Sequence, residues 1–576
     1  MQNKQIKSGV RTFMPVSSRN KISPRGIKLI ITLGLSLLFG LAWFILFYGP
    51  SPLNFTSVDW IYKAGGDLFQ TQIGWEWFRQ TPWHFPLGRI DLYGYPFGTY
   101  VTYMNSIPLP AIFFKLFTAV LPKHFQYLGL WNLLSIVGQM FFGMLILGEF
   151  TPSYFKKILG ASLLVLSTTL IFRAFYHDSL TSQWIILAGI WLILMQYRHR
   201  ESRRAAWILL FAVALVIHIY LMVMLVPLWA ISLFFRFKRE KNTRMLLVDI
   251  FVMMGLMLLL GYSTGLFSLR AGDLYLKGFG YYSWNLDGFF DPQQTSALFH
   301  ALPAGTAGQY EGLSYLGLGN LVTLPFALFL FFKKELSRRH LLFLLPFAVV
   351  SLLFTLFALS NEAFVSTHSL WNIQLPDFIF KVFSLFRASA RFIWPVFYFV
   401  VLFGLVMLVR NTRFTALILL LVVVLQLIDL QPLYASKKVN GVEAYRSELQ
   451  SEFWQTAAQT NQHVFIYPAE DAWTVYEPFA LYTLHNNMTL NWGYFSRANY
   501  AEIANFGRHT WEDLKADHVA KDTLFIIWGD DALAQAKQFL SDKMLICQID
   551  GYEVAFSPNN PVVQSGFDLK PYCAFP

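Results

Sequence analysis

Leu29 to Tyr48 reads LIITLGLSLLFGLAWFILFY, twenty residues without a charge. At about 1.5 Å per residue, a helix of that length spans the ~30 Å hydrocarbon core of a bilayer. Ahead of it stand Lys4, Lys7, Arg11, Arg19, Lys21, Arg25 and Lys28, and no acid. The run is long for the apolar part of a signal peptide and lacks a small-residue cleavage site. It is expected to be a retained membrane helix, with residues 1–28 as a basic cytoplasmic segment.

The same pattern recurs along the chain. Apolar stretches fall at about 127–149, 158–175, 180–197, 205–218, 221–235, 245–265, 318–332, 341–359, 392–409 and 413–430. Between them lie basic clusters at Lys156-Lys157, Arg198 to Arg204, Arg236 to Arg244 and Lys333 to His340. All four are expected on the cytoplasmic side. They agree with one another only if 107–122, with Lys115 at its centre, is an interfacial or re-entrant helix. The expected fold is an all-α polytopic membrane bundle of about eleven transmembrane helices, with the 205–235 hairpin turning inside the membrane depth. The large connections 49–126, 266–317 and 360–391, and everything after 430, then face outward.

Composition supports this class. The chain is 55% hydrophobic and 14% charged, with 57 Phe, 27 Tyr and 18 Trp. That excludes a soluble enzyme, a disordered scaffold and a disulfide-stapled secreted domain. The net charge of +11 divides unevenly: residues 431–576 carry 10 Lys/Arg against 17 Asp/Glu, and the remainder 35 against 17. The positive excess thus sits on the membrane part. No single basic face suggests a nucleic-acid partner.

The segment 431–576 is expected to be an extracytoplasmic α/β domain. Helical patterns over Glu443 to Thr460 and Asp531 to Leu540 alternate with strand-like runs at His463 to Tyr467, Leu524 to Trp528, Leu545 to Ile549 and Glu553 to Phe556. Its two cysteines, Cys547 and Cys573, fit no metal-ligand spacing and are equally consistent with one disulfide or two thiols.

Four outward segments hold the polar residues of interest. The first, Val58 to Gly88, is dense in aromatics yet carries Asp59, Lys63, Asp67, Glu76, Arg79 and His84. Gly65-Gly66 marks a turn, and the pattern from Leu68 to Arg79 reads as an amphipathic helix on the membrane surface. Asp67 is then an N-cap, a catalytic carboxylate at the water boundary, or both. The second, RAFYHDSLTSQ from Arg173, holds His177 and Asp178, and the hairpin turns near His218. Polar groups at such depth face a partner or a cavity. The third, Gly308 to Asn320, sets Glu311 among glycines that allow close backbone approach. The fourth, FRASARFIWP from Phe386, places Arg387 and Arg391 at i and i+4, so they are expected to share one helix face, suited to a phosphate at headgroup level. No P-loop, GxGxxG, HExxH or CxxC occurs, and no acid cluster calls for a metal, although a divalent ion remains compatible.

A basic start, one span and a long aromatic outer loop with an acid near its beginning resemble the GT-C class of membrane glycosyltransferases. The chain is similar in particular to an uncharacterised bacterial membrane family with such a bundle and an extracytoplasmic C-terminal domain. The likeness rests on GGDLFQTQIGWEWFR (Gly65 to Arg79), PWHFPLG (Pro82 to Gly88), GQYEGLSYLGLG (Gly308 to Gly319) and FRASARFIWP. It covers 29–430 as the catalytic module. It implies an inverting transfer from a polyprenyl-phosphate sugar to a glycan or glycolipid acceptor, outside a bacterial inner membrane. Asp67 is the implied base, Arg387 and Arg391 the phosphate partners, and Lys63, His177, His218 and Glu311 the substrate-binding candidates. Trp473, Trp492 and Tyr494 of the tail are candidate sugar-stacking residues. The class often shows two adjacent acids here; Asp67 stands alone, which leaves Asp59, Glu76 and Asp91 as rivals. A transporter or flippase for a lipid-linked or small polar substrate is the alternative, but no two-half repeat supports it.

Overall fold

The computed structural model describes residues 23–269, 278–333, 338–411, 414–439 and 443–573. Most of the basic segment 1–28 and part of the cluster at 333–340 lie outside the described residues.

Among the described residues, seven helices are long and apolar enough to cross a membrane: Arg25–Tyr48, Leu128–Gly148, Asp178–His199, Ile219–Glu240, Thr243–Ser263, His340–Leu359 and Ser389–Arg410. Three shorter apolar helices accompany them: Arg204–Ile217, Leu318–Phe332 and Thr415–Asp429. The remaining expected span, 158–175, is broken at Leu166 and Ser167 into Tyr154–Val165 and Thr168–Ile171. Helix length and composition therefore give seven spans where the sequence pattern counts eleven. The reason is partly geometric: the 14-residue helix Arg204–Ile217 reaches only about 21 Å. The helices share one continuous apolar core that includes Phe44, Met140, Leu187, Leu221 and Phe397. Many residues on the outside of the bundle are also apolar and exposed, among them Leu258, Leu259, Phe329, Leu345 and Leu352. Such a surface suits lipid rather than water.

The first outer segment and the tail form a second body around one shared core. That core joins Phe69, Trp75, Trp77 and Tyr93 of the former to Trp454, Tyr476, Phe479 and Trp492 of the latter. The helix Gly66–Gln80 is consequently not a surface amphipath. Every residue from Leu68 to Phe78 is buried, because neighbouring outer elements and the tail cover it. The expected interfacial segment 107–122 contains the short helix Pro108–Lys115. Lys115 is buried there, with Nζ 3.8 Å from the centre of the Phe78 ring. Leu109, Phe113 and Leu116 of the same segment stay exposed.

The tail holds a five-stranded mixed sheet in the order Thr489–Leu490, His463–Tyr467, Thr523–Ile527, Tyr552–Phe556, Leu545–Ile549. The first three strands run parallel and the last two pair antiparallel. Helices Tyr476–His485, Tyr500–Lys515 and Asp530–Phe539 connect them. The helix expected from Glu443 is present only as Glu452–Thr460, started by Ser451 as N-cap. Cys547 and Cys573 form a disulfide, which ties the end of the chain to the edge strand.

Candidate functional site

Gly65 closes the helix Asp59–Ala64 and caps the helix Gly66–Gln80, with φ at +64°, a backbone conformation that favours glycine. Asp67 sits in the first turn of the second helix but is not its N-cap. The amide of Gly66 instead donates to the carboxylate of Glu477, from the tail, at 2.8 Å. The capping explanation for Asp67 is thereby replaced: a distant residue fills that role, and the Asp67 carboxylate faces the end of the bundle that carries His177.

There it meets the other outward segments. His177 Nε2 lies 3.7 Å from Asp67 Oδ1. The turn carrying His177 is fixed by Asp178, whose Oδ1 accepts from the Phe175 amide at 2.9 Å and from Asn132 Nδ2 at 2.5 Å. Asp178 is thus scaffolding. Arg173, from the same turn, donates Nη2 to the Glu311 carbonyl at 2.7 Å and lies 2.8 Å from its Oε2. Arg391 grips the same carboxylate with Nε at 2.9 Å and Nη2 at 3.1 Å. Glu311 is carried on a short 3-10 turn that packs tightly: a Cβ on Gly308 would fall 2.6 Å from the Tyr281 carbonyl oxygen, and one on Gly312 3.0 Å from the Ala390 Cβ.

Arg387 and Arg391 do not share an α-helix. The helix Asp377–Ser384 ends first, and a 3-10 turn begins at Ser389. The i, i+4 spacing therefore separates them: Arg391 is buried on Glu311, whereas Arg387 lies over the Tyr282 ring at 5.5 Å and has no acidic partner among the described residues. Its charge still reaches Asp67. His218 caps the helix Ile219–Glu240, its Nδ1 accepting from the Tyr220 amide at 3.2 Å, and lies close enough to His177 to influence it electrostatically.

The electrostatics follow from burial among many charges. Asp67 is pushed up to about 6, first by burial and then by the negative Glu311, against the pull of Arg391, Arg387 and Arg173. Burial also raises Glu311, but Arg173 and Arg391 outweigh it and hold the carboxyl well below the usual range. His177 is driven well below the ordinary histidine value by burial and by the charge of Arg391. It is a neutral imidazole, so its approach to Asp67 is a polar contact rather than an ion pair. Its Nδ1 and the Nη1 of Arg173 are buried without hydrogen-bond partners among the described residues.

The structure thus brings together Asp67, His177, His218, Glu311, Arg387 and Arg391. Lys63 is turned away, in an exposed ion pair with Glu443 at 2.7 Å. Two of the rival acids are engaged elsewhere. Glu76 accepts from Tyr62 and Gln72, both at 2.7 Å, and Asp91 pairs with His84 and Arg89. Asp59 lies in the first turn of the preceding helix. Of the tail aromatics, Trp492 is core, Trp473 is exposed, and Tyr494 reaches the site, where it feels the charge of Asp67.

Four contributors were not singled out from sequence. Tyr176 and Tyr310 lie near each other beside Asp67, whose charge reaches Tyr176. Lys437, just past the last bundle helix, lies 5.8 Å from the centre of the Tyr176 ring and is lowered to about 8 by burial. Arg497, from the tail, feels Arg387 and Arg391. Only the polar–aromatic run Asn491 to Asn499 hinted at the last. Among the described residues no three His, Cys, Asp or Glu gather as a metal set would.

No curated protein matches the chain. Residues 453–557 match the model of the DUF6311 C-terminal domain. Residues 37–431 match the model described as a domain of unknown function, DUF6311, and with more than half its length so matched, the chain belongs to that family.

Proposed function

We propose that this protein is a membrane glycosyltransferase of the GT-C type, moving a sugar from a polyprenyl-phosphate donor to an extracytoplasmic glycan or glycolipid acceptor with inversion. The observation that carries the reading is an Asp67 carboxylate relieved of capping, raised toward neutrality, and set beside a neutral imidazole and an unpaired guanidinium. A general base needs a pKa near working pH. Asp67 takes the proton of the acceptor hydroxyl as its oxygen forms the new bond to the anomeric carbon. The bond from that carbon to the phosphate oxygen breaks, and its electron pair leaves with the lipid phosphate. Arg387 receives that charge. Arg391 and Arg173 hold Glu311, which tunes Asp67 rather than touching the sugar. His177 and His218 line the sugar's position, with Tyr176 and Tyr310 at its edge.

The reading includes the finer topology: eleven crossings in a bacterial inner membrane, the N-terminus cytoplasmic, and the tail outside. A disulfide in the tail supports an oxidising side for it. The test is purified protein in nanodiscs with labelled polyprenyl-phosphate sugars. Release of polyprenyl phosphate with a glycosylated product is expected from wild type and not from Asp67→Asn. Absence of turnover with every donor, together with movement of labelled lipid between leaflets, sinks the transferase and favours a flippase.

A further inference from the structure

A cavity of about 190 Å³ lies where the first outer segment meets the tail, apart from Asp67. One wall comes from Arg89, Tyr100 and Tyr103, the other from Phe495, Arg497 and Glu502. It exists because the tail is docked: Ser496 donates both its amide, at 2.8 Å, and its hydroxyl, at 2.9 Å, to the Tyr103 carbonyl. Domain seams are a common place for small-ligand sites.

The lining selects the ligand's chemistry. Aromatic rings offer flat apolar faces, while guanidinium and carboxylate heads offer donors and acceptors. Charge is nearly balanced. Arg89 is already paired with Asp91 at 2.7 Å, while on the opposite wall Arg497 donates to the Ser496 carbonyl at 2.7 Å and Glu502 accepts from Asn499 Nδ2 at 2.9 Å. A phosphate would meet Glu502 unfavourably, and an acyl chain would strand the polar heads. A polyhydroxylated ring meets both demands: its C–H faces lie on the aromatic rings, and its hydroxyls donate to Glu502 and accept from Arg497. Arg497 also links the cavity to the Asp67 cluster, since it feels both Arg387 and Arg391 and has no acidic partner of its own among the described residues.

We infer that this seam cavity binds a saccharide ring of the acceptor, orienting it for attack at the Asp67 cluster. The inference rests on the transferase reading for the word acceptor, but not for the site. Full-length protein in nanodiscs is examined by saturation-transfer NMR with methyl glucoside, methyl galactoside, methyl mannoside and N-acetylglucosamine. At least one is expected to bind wild type and Asp67→Asn alike. Glu502→Gln, at an exposed position, is expected to weaken that binding by about tenfold, the worth of one hydrogen bond to a charged group. Tyr100→Leu is the second variant and should weaken it through the lost ring face. No signal from any of the four sugars, or equal signals in wild type and both seam variants, overturns the site. Sugar transfer by wild type without seam binding overturns this inference alone. Seam binding without transfer from any donor overturns the transferase and leaves the saccharide site.

Discussion

Glu311 and Arg391, eighty positions apart, meet as two parallel hydrogen bonds of 2.9 and 3.1 Å inside the outer end of the bundle. Arg173 closes on the same carboxylate from the other side. Removing one member of such a buried set leaves charges without a partner, at a cost of about 3–5 kcal/mol. Glu311→Gln should therefore lower the thermal midpoint sharply and strand two guanidiniums. A variant that unfolds like wild type would show that the pair contributes little.

Asp67→Asn should behave in the opposite way. The residue caps nothing, so thermal unfolding should be unchanged, while sugar transfer falls roughly 10²–10⁴-fold, the usual worth of a general base. In wild type the pH profile carries the sign. Only the ionised carboxylate accepts a proton, and its pKa is about 6, so kcat/KM should rise as pH increases through about 6 and level off above it. A profile that is flat across that interval rules Asp67 out as the base.

Arg387→Ala should weaken donor use, and Arg387→Lys should restore only part of it, because lysine supplies a point charge without the planar fork. Thermal stability should be nearly unchanged, since Arg387 makes no ion pair among the described residues and lies over the Tyr282 ring. The comparison is read as donor KM against the thermal midpoint. Equal KM values in the three proteins would move the phosphate elsewhere.

Glu477→Ala removes the acceptor for the Gly66 amide, and such a loss at a helix start costs about 1 kcal/mol. Both stability and transfer should fall, because the helix turn that carries Asp67 loosens. Glu477→Gln keeps an acceptor oxygen and should retain most of each. A transfer defect in the alanine variant without a stability change would contradict the capping role.

The disulfide Cys547–Cys573 joins cysteines 26 positions apart, for which chain entropy gives about 3.5 kcal/mol. Replacing both cysteines with serine should lower the urea midpoint of tail unfolding. An unchanged midpoint would mean that the last strand holds the chain end without help.

Much of the bundle was legible because membrane helices announce themselves by length and apolarity: Leu29 to Tyr48 needed no partner to be read. The four polar segments were also legible, and the structure brings residues of all four together at one end of the bundle. Three features were not. The helix Gly66–Gln80 looks amphipathic in isolation because the tail that covers its polar face lies some 400 positions away. The spacing of Arg387 and Arg391 implies one face only while a helix continues, and here a bend interrupts it. Glu477 and Arg497 carry no motif; they matter through where the tail docks. Four strands of the tail were readable from their apolar runs, whereas the two-residue edge strand Thr489–Leu490 and the helices Tyr476–His485 and Tyr500–Lys515, rich in aromatic and charged residues, were not.

The Glu477–Gly66 contact has an evolutionary and practical corollary. A carboxylate from one unit sets the backbone that presents the key acid of the other, so neither unit can be exchanged by itself. A chimera that takes its tail from a relative would keep its spans and its sheet, yet it would misalign Asp67 unless the donor tail also brought a matching acid. The two units are therefore bound to drift together, and compatibility between them should be sought at that joint before any comparison of their surfaces.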